Sequence, residues 1–248
     1  MDALQRPDET LDDLKRDGLR ILQKRGGFRF GVDAVLLADF ARAGAQARVA
    51  DFGTGSGVIP LLMAARGKGR RFDALEADAD IADMAARSVR LNGMEERIRV
   101  RCRRAEEAAE LLGRNTIDTV VCNPPYWGFG RATEENAARV QAEGGLKEWF
   151  AAAYRVLRGK GSFCLVYSAP WSMEALRLLH DAGLEPKRLR CVHHDARRPA
   201  TLVLIEALKS GHPGTEILPP LVLCEPDGTP TAEQKRIYGE DAADDKNS

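Results

Sequence analysis

From residue 47 onward, short apolar runs alternate with longer stretches of helical spacing. ARVADF (47–52) predicts a buried strand ending at Gly53, and VIPLLMAAR (58–66) a helix directly after it. RFDALEA (71–77) predicts a second strand, and DIADMAARSVRLNG (80–93) a helix stopped at Asn92-Gly93, where a glycine suits the left-handed cap. IRVRCR (98–103) alternates apolar and basic residues with period two, as a half-exposed strand does. AEEAAELLG (105–113) reads as a short helix and TIDTVVC (116–122) as a fourth strand. GLKEWFAAAYRVLRGKG (145–161) has helical spacing and a glycine stop, GSFCLVYSA (161–169) is a fifth strand, and WSMEALRLLHDAG (171–183) a helix. LEPKRLRCVHH (184–194) and ATLVLIEAL (200–208) are joined too closely for a crossover helix, so they predict an antiparallel hairpin.

Strand–helix alternation of this kind means a mostly parallel sheet covered on both faces, with ligands at the carboxyl ends of its strands. The 248 residues suffice for one large α/β domain. Residues 1–45 form an N-terminal extension, expected to pack on the ligand site. Residues 46–208 form the central domain. Residues 209–248 form a C-terminal extension rich in proline and turn residues, with an acidic tail expected to be disordered.

Composition narrows the class. With 44% hydrophobic and 30% charged residues, the chain is neither disordered nor fibrous. No run approaches the ~20 apolar residues that span a bilayer, so no membrane partner is expected. The first residues, MDALQRPDETLDDLKRD, are too acidic and polar for a secretory or transit signal. The five cysteines include no CxxC pair, which points to reduced core thiols, a cytoplasmic location and no metal site. Lys+Arg and Asp+Glu both number 37, and zero net charge argues against bulk capture of nucleic acid. The charge is unevenly spread, however. Residues 187–198 (KRLRCVHHDARR) hold Lys187, Arg188, Arg190, Arg197 and Arg198 against the single acid Asp195. Basic runs also occur at 15–29 and 97–104. A polyanion could meet a local basic face there, although each run alone also suits a solvated surface.

Two motifs carry chemistry. DFGTGSG (51–57) leaves a strand and opens a helix, with glycines that let a ligand approach the main chain. Glu76 ends the next strand, roughly 20 residues on, where a carboxylate accepts from both ribose hydroxyls. The spacing is GxGxG, and Val58 stands where a dinucleotide fingerprint needs its last glycine. Asp51 with this loop resembles motif I of class I methyltransferases. That resemblance implies S-adenosyl-L-methionine as cofactor and a Rossmann-like α/β fold, a seven-stranded mostly parallel sheet with an antiparallel terminal hairpin. It implies Asp51, Gly53, Thr54, Gly55, Gly57 and Glu76 as cofactor residues.

The second motif, Asn123-Pro124-Pro125-Tyr126, directly follows the fourth strand. A conjugated exocyclic amine is a poor nucleophile, because its lone pair is delocalised into the ring. The Asn123 side-chain carbonyl and the Pro124 backbone carbonyl can each accept one amine hydrogen and turn the lone pair toward an arriving methyl. Those bonds strengthen as charge develops on nitrogen, which stabilises the transition state more than the ground state. The two prolines preorganise the turn, and Tyr126 offers a flat face for the base. No general base is required, so His193 and His194 have no catalytic part. The tetrapeptide resembles the (D/N)PP(Y/F/W) signature of amino-methyltransferases, which act on adenine N6, cytosine N4 or a glutamine amide. It names a chemistry and leaves the substrate open.

The stretch QKRGGFRFGVDAVLLADF (23–40), DFGTGSGVIPLL, NPPY and the ending RRPATLVLIEALKSG…LPPLVLCEPDGTPTAE together resemble the tRNA1(Val) adenine-37 N6-methyltransferase family, from about residue 14 to residue 238. That family implies methylation of N6 on a tRNA adenine beside the anticodon, which is already single-stranded and cheap to extrude. It places Phe30, Asp33 and Leu36 over the cofactor. An acid expected near Arg104 for the cofactor's adenine is found two positions later as Glu106, and the segment around Arg139 lacks the acid expected behind it. The expected RNA-facing residues are Trp127, Phe129, Arg131 and Arg139 in the loop after NPPY, with Lys187, Arg188, Arg197 and Arg198 on the basic segment. Alternatives are methylation of another RNA adenine or of a protein glutamine, or a catalytically silent RNA-binding partner. An intact amine-gripping tetrad weighs against silence.

Overall fold

A computed structural model describes residues 4–26, 29–124 and 145–240. Its first elements are a hairpin, β1 (Glu9–Asp13) and β2 (Arg20–Lys24), and then helix α1 (Val32–Phe40). The alternating region follows as β3 (Arg48–Phe52), α2 (Val58–Ala65), β4 (Arg71–Glu76), α3 (Ala79–Leu91) and β5 (Ile98–Cys102). A 3-10 turn (Ala105–Glu107) leads into α4 (Ala108–Leu112) and β6 (Ile117–Cys122). After α5 (Gly145–Val156) come β7 (Leu157–Ser168), α6 (Ser172–Asp181), β8 (Leu184–Asp195) and β9 (Ala200–Lys209). Two short strands, β10 (Glu216–Ile217) and β11 (Leu221–Cys224), and helix α7 (Ala232–Tyr238) complete it.

Seven strands run in the order β5-β4-β3-β6-β7-β9-β8, all parallel except β9, which pairs antiparallel with both β7 and β8. The expected sheet and its terminal hairpin are therefore present. The described sheet has nine strands, because β10 and β11 add parallel pairs to the outer edge of β8. These pairs lie in the proline-rich segment read from sequence as a simple extension. They blunt an edge that would otherwise offer unpaired backbone groups.

Period-two alternation divides the core. Along β7, Phe163, Leu165 and Tyr167 pack with α4, α5 and α6, while Cys164 and Val166 face α1 and α2. Helix α5 stops at Val156, five residues before the expected glycine stop at Gly161. The intervening residues extend β7, and its pairing with β6 slips between Ile117 and Thr119. Lys160 there has a φ of 63°, a backbone state no helix tolerates.

The N-terminal hairpin lies against α3. Leu22 N–H donates to Ser88 Oγ at 3.0 Å, and Arg87 binds Glu9 through two bonds of 2.6 and 2.7 Å. Glu9 has no exposed surface, and this guanidinium holds its carboxyl below the usual range. Cys122 and Cys164 are buried, Cys102 is exposed, and no cysteine is bridged. Among the described residues no helix is long and apolar enough to cross a membrane, and no cluster of potential ligands could hold a metal ion.

Candidate active site

Strand order reverses between β3 and β6: the chain passes outward through β4 and β5, then returns to the other side of β3. Neighbouring connections diverge at that point and leave a crevice at the carboxyl ends. Both motifs open there, since Phe52 of β3 is paired with Cys122 of β6, immediately before Gly53 and Asn123.

The loop after β3 is held from behind. Gly53 has a φ of 69°, and a Cβ on it would lie 2.9 Å from Cη2 of Trp149. Trp149 is a buried residue of α5 and forms the floor of the turn; its helical spacing in the sequence marks it only as core. Thr54 N–H donates to Leu75 O at 2.9 Å, tying the loop to β4. Gly55 N–H donates to Glu76 Oε2 at 2.9 Å, and Asp78 N–H donates to Glu76 Oε1 at 3.0 Å. The Glu76 carboxylate is thereby fixed at the end of β4. Gly57 begins α2 from the left-handed region.

Asp51 is fully buried under this loop. Neither of its oxygens, nor the Thr54 hydroxyl, has a hydrogen-bonding partner among the described residues. Burial pushes the Asp51 carboxyl up to about 7; the Glu76 charge adds to the rise, and the neighbouring Thr54 hydroxyl opposes it. An orphaned acid beneath a glycine turn, with a second acid fixed at the next strand end, suits a ligand carrying an ammonium group and a ribose. S-adenosyl-L-methionine has both. Asp51 and the Gly53–Gly57 backbone would hold its amino-acid end, and Glu76 its ribose.

Across the crevice, Asn123 is half-buried and Pro124 buried. Asn123 Nδ2 donates to Asp33 Oδ2 at 3.2 Å, so the start of α1 reaches the second motif. Phe30 is half-buried against the core, with its N–H donating to Gln23 Oε1 at 2.9 Å. Leu36, expected over the cofactor, is 1% exposed and sits in the core. Glu106 follows β5 in the 3-10 turn and pairs with Arg104 at 3.4 Å. Pro125, Tyr126, Trp127, Phe129, Arg131 and Arg139 lie outside the described residues.

The basic segment divides. Arg197 and Arg198 stand exposed at the tip of the β8–β9 hairpin, and Arg198 pairs with Asp195 at 2.9 Å. Ser168 at the end of β7 and Val192 of β8 both pair with Leu202, so this tip shares the carboxyl edge with Asn123. Arg188 does not join it. It is buried in the middle of β8, at the sheet's outer side, 2.6 Å from Glu206 and 4.5 Å from the centre of the Phe40 ring. Its alternation along β8 turns it into the sheet, and a cation there needs a buried partner, which makes it part of the core. Lys187 caps the backbone carbonyls of His212 and Gly214, also away from the crevice. One residue missed from sequence is Trp171, 47% exposed directly after β7 on the crevice edge. No spacing signal separates it from the core aromatics.

A doubly wound sheet with these two loops at its switch point defines a class I methyltransferase. Residues 30–183 match the family model described as methyltransferase small domain, and the chain belongs to that family. It is similar to the tRNA1(Val) (adenine(37)-N6)-methyltransferase of Aeromonas hydrophila subsp. hydrophila, 31% identical over 185 residues that cover 73% of this chain and 77% of the relative. The protein of that name from Erwinia tasmaniensis is 27% identical over 221 residues, 88% of this chain and 89% of the relative. Among solved structures, a predicted O-methyltransferase of Agrobacterium tumefaciens superposes with a TM-score of 0.64 at 20% identity, covering 84% of this chain and 95% of that one. The geranyl diphosphate C-methyltransferase of Streptomyces coelicolor A3(2), solved with S-adenosyl-L-homocysteine, gives 0.54 at 17% identity, with 72% and 78% covered. These two likenesses concern the fold.

Proposed function

We propose that the protein methylates the exocyclic N6 of an adenine in tRNA, in the anticodon loop beside the anticodon, with S-adenosyl-L-methionine as donor. The observation that carries this reading is the meeting of Asn123-Pro124 with the Asp51–Gly57 turn at the switch point of the sheet. The family relatives named for adenine-37 of tRNA1(Val) support the substrate.

Held by Asp51, the Gly53–Gly57 backbone and Glu76, S-adenosyl-L-methionine would supply an electrophilic methyl on a sulfonium sulfur that is also the leaving group. The protein's part is to grip and aim the amine. Asn123 Oδ1 and the Pro124 carbonyl accept its two hydrogens, and both bonds gain strength as the nitrogen turns pyramidal and positive. The surplus proton then passes to solvent. His193 needs no part in this, since its Nδ1 is within 2.8 Å of the Arg198 carbonyl as a brace of the hairpin. Arg197 and Arg198, with Trp171 at the same carboxyl edge of the sheet, offer cations and one aromatic face to a looped RNA strand.

Incubation with methyl-labelled S-adenosyl-L-methionine and total tRNA, followed by nucleoside analysis, tests the reading. The expected product is N6-methyladenosine. Label found in cytidine, or on a glutamine of added protein, would overturn it.

A further inference from the structure

The carboxamide of Asn123 has two limbs of opposite function, since its oxygen accepts and its nitrogen donates. Only one orientation offers the acceptor that a substrate amine needs. Rotation about Cβ–Cγ exchanges the limbs, so the surroundings must choose between them. In this fold the choice comes from an element ninety residues earlier in the chain: Asp33 Oδ2, on the first turn of α1, takes the Asn123 Nδ2 hydrogen at 3.2 Å. An ionised carboxylate has no hydrogen to give and admits only the amide nitrogen. The reversed orientation would set two acceptors against each other across the same gap. With Nδ2 directed at α1, Oδ1 lies on the opposite limb of the planar group.

Asp33 is itself held in place. Its Oδ1 accepts from the Ala34 N–H at 2.9 Å, and the residue is 7% exposed. The open end of a helix N-terminus favours a negative group at this position. Gly31 makes the room, because a Cβ at that position would lie 2.6 Å from Asp33 Oδ1. The far end of α1 is fastened too, with Lys68 Nζ donating to the carbonyls of Ala38 and Ala41 at 3.0 and 2.9 Å. Leu36 and Leu37 bury the middle of the helix. A fixed charge on a fixed helix thus faces the amide.

We propose that Asp33 is a positioning residue for methyl transfer: it orients the Asn123 carboxamide so that Oδ1 is presented to the substrate amine. The proposal rests on the role given to Asn123 above, and it departs from the cofactor contact that resemblance implies for Asp33. The carboxylate also polarises the amide. Negative charge on the nitrogen side pushes electron density toward Oδ1, which strengthens that acceptor just when the amine becomes positive.

A donor–acceptor swap tests this. Asn123→Asp alone sets two carboxylates across the gap and is expected to lower kcat by about a hundredfold or more. Adding Asp33→Asn puts the amide on α1, where it donates across the same gap. The carboxylate at 123 then has its other oxygen for the amine, and roughly tenfold or greater recovery of kcat is expected. Asp33→Ala should lower kcat while calorimetry shows the dissociation constant for S-adenosyl-L-methionine within about twofold of the wild type, which also reports an intact fold. Two results would overturn the proposal. One is a swap no faster than Asn123→Asp alone; the other is an Asp33→Ala enzyme with unchanged kcat but weakened cofactor binding. Wild-type protein that labels an amine other than tRNA adenine overturns only the substrate assignment, and the swap is then measured on that amine.

Discussion

The backbone N–H of Gly55 and the side chain of Glu76 are joined by a 2.9 Å hydrogen bond between the loop after β3 and the tip of β4. The acid that would take the ribose is thus also the clamp on the turn that would take the amino-acid end. Glu76→Ala removes both functions. Its cofactor dissociation constant, measured by calorimetry, should rise between about tenfold and a few hundredfold, as expected for losing hydrogen bonds to a charged group. Unchanged binding would remove Glu76 from the site.

Asp51 predicts a pH dependence. Its carboxyl is raised in the folded protein from 3.8 to about 7, so the folded state favours the protonated form. The unfolded chain gives up this proton at lower pH. Stability of the cofactor-free protein should therefore fall as pH rises from about 4 through 7 and level off above that. Asp51→Asn should flatten this contribution and raise the melting temperature of the cofactor-free protein at pH 8. A cationic ligand needs the charged acid, so wild-type cofactor affinity should increase from pH 6 to pH 8, with little such change in Asp51→Asn. Equal pH profiles for the two proteins would contradict the assignment.

Asn123→Ala should separate binding from chemistry. The truncated side chain offers no acceptor, and a loss of one preorganised group costs on the order of 100- to 1000-fold in kcat. Cofactor affinity should be nearly unchanged, since Asn123 stands on the opposite wall from Glu76. Turnover equal to wild type would refute its role.

Gly53→Ala brings a methyl group to 2.9 Å from the Trp149 ring at a left-handed backbone position. Trp149 cannot retreat easily from a packed helix face. The variant should melt at a lower temperature, with a loss of about 1–3 kcal/mol in stability. Pairing it with Trp149→Phe, which shortens the ring, should return part of that loss, as read by denaturant unfolding.

The basic segment should respond in two ways. Arg197→Ala with Arg198→Ala should raise KM for tRNA and reduce the salt dependence of binding by roughly one to two units in the log–log slope, with the melting temperature unchanged. Trp171→Ala should also raise KM for tRNA, whereas Trp171→Phe should retain most of the affinity. Arg188→Ala strands Glu206 in the core and should cost about 3–5 kcal/mol of stability. A soluble, stable Arg188→Ala protein with weakened tRNA binding would reverse this division.

Local chemistry carried much of this protein in its sequence. Phe163 to Tyr167 alternate between two buried faces because strand pleat is a property of neighbouring residues, so the strand reads as a short apolar run and the sheet as the alternation of such runs with helical spacing. The turn at Asp51–Gly57 and the tetrad beginning at Asn123 were readable because each functional group sits on a loop fixed by its own glycines or prolines. Tertiary structure decided the partnerships. Glu9 is buried because α3 brings Arg87 to it from 78 residues away, and Arg188 is core because Glu206 waits on the adjacent strand. Asp33 reaches Asn123 only because α1 begins at the switch point. Periodicity records which face a side chain takes. Which charge stands opposite depends on how distant elements cross, and only the folded chain contains that distance.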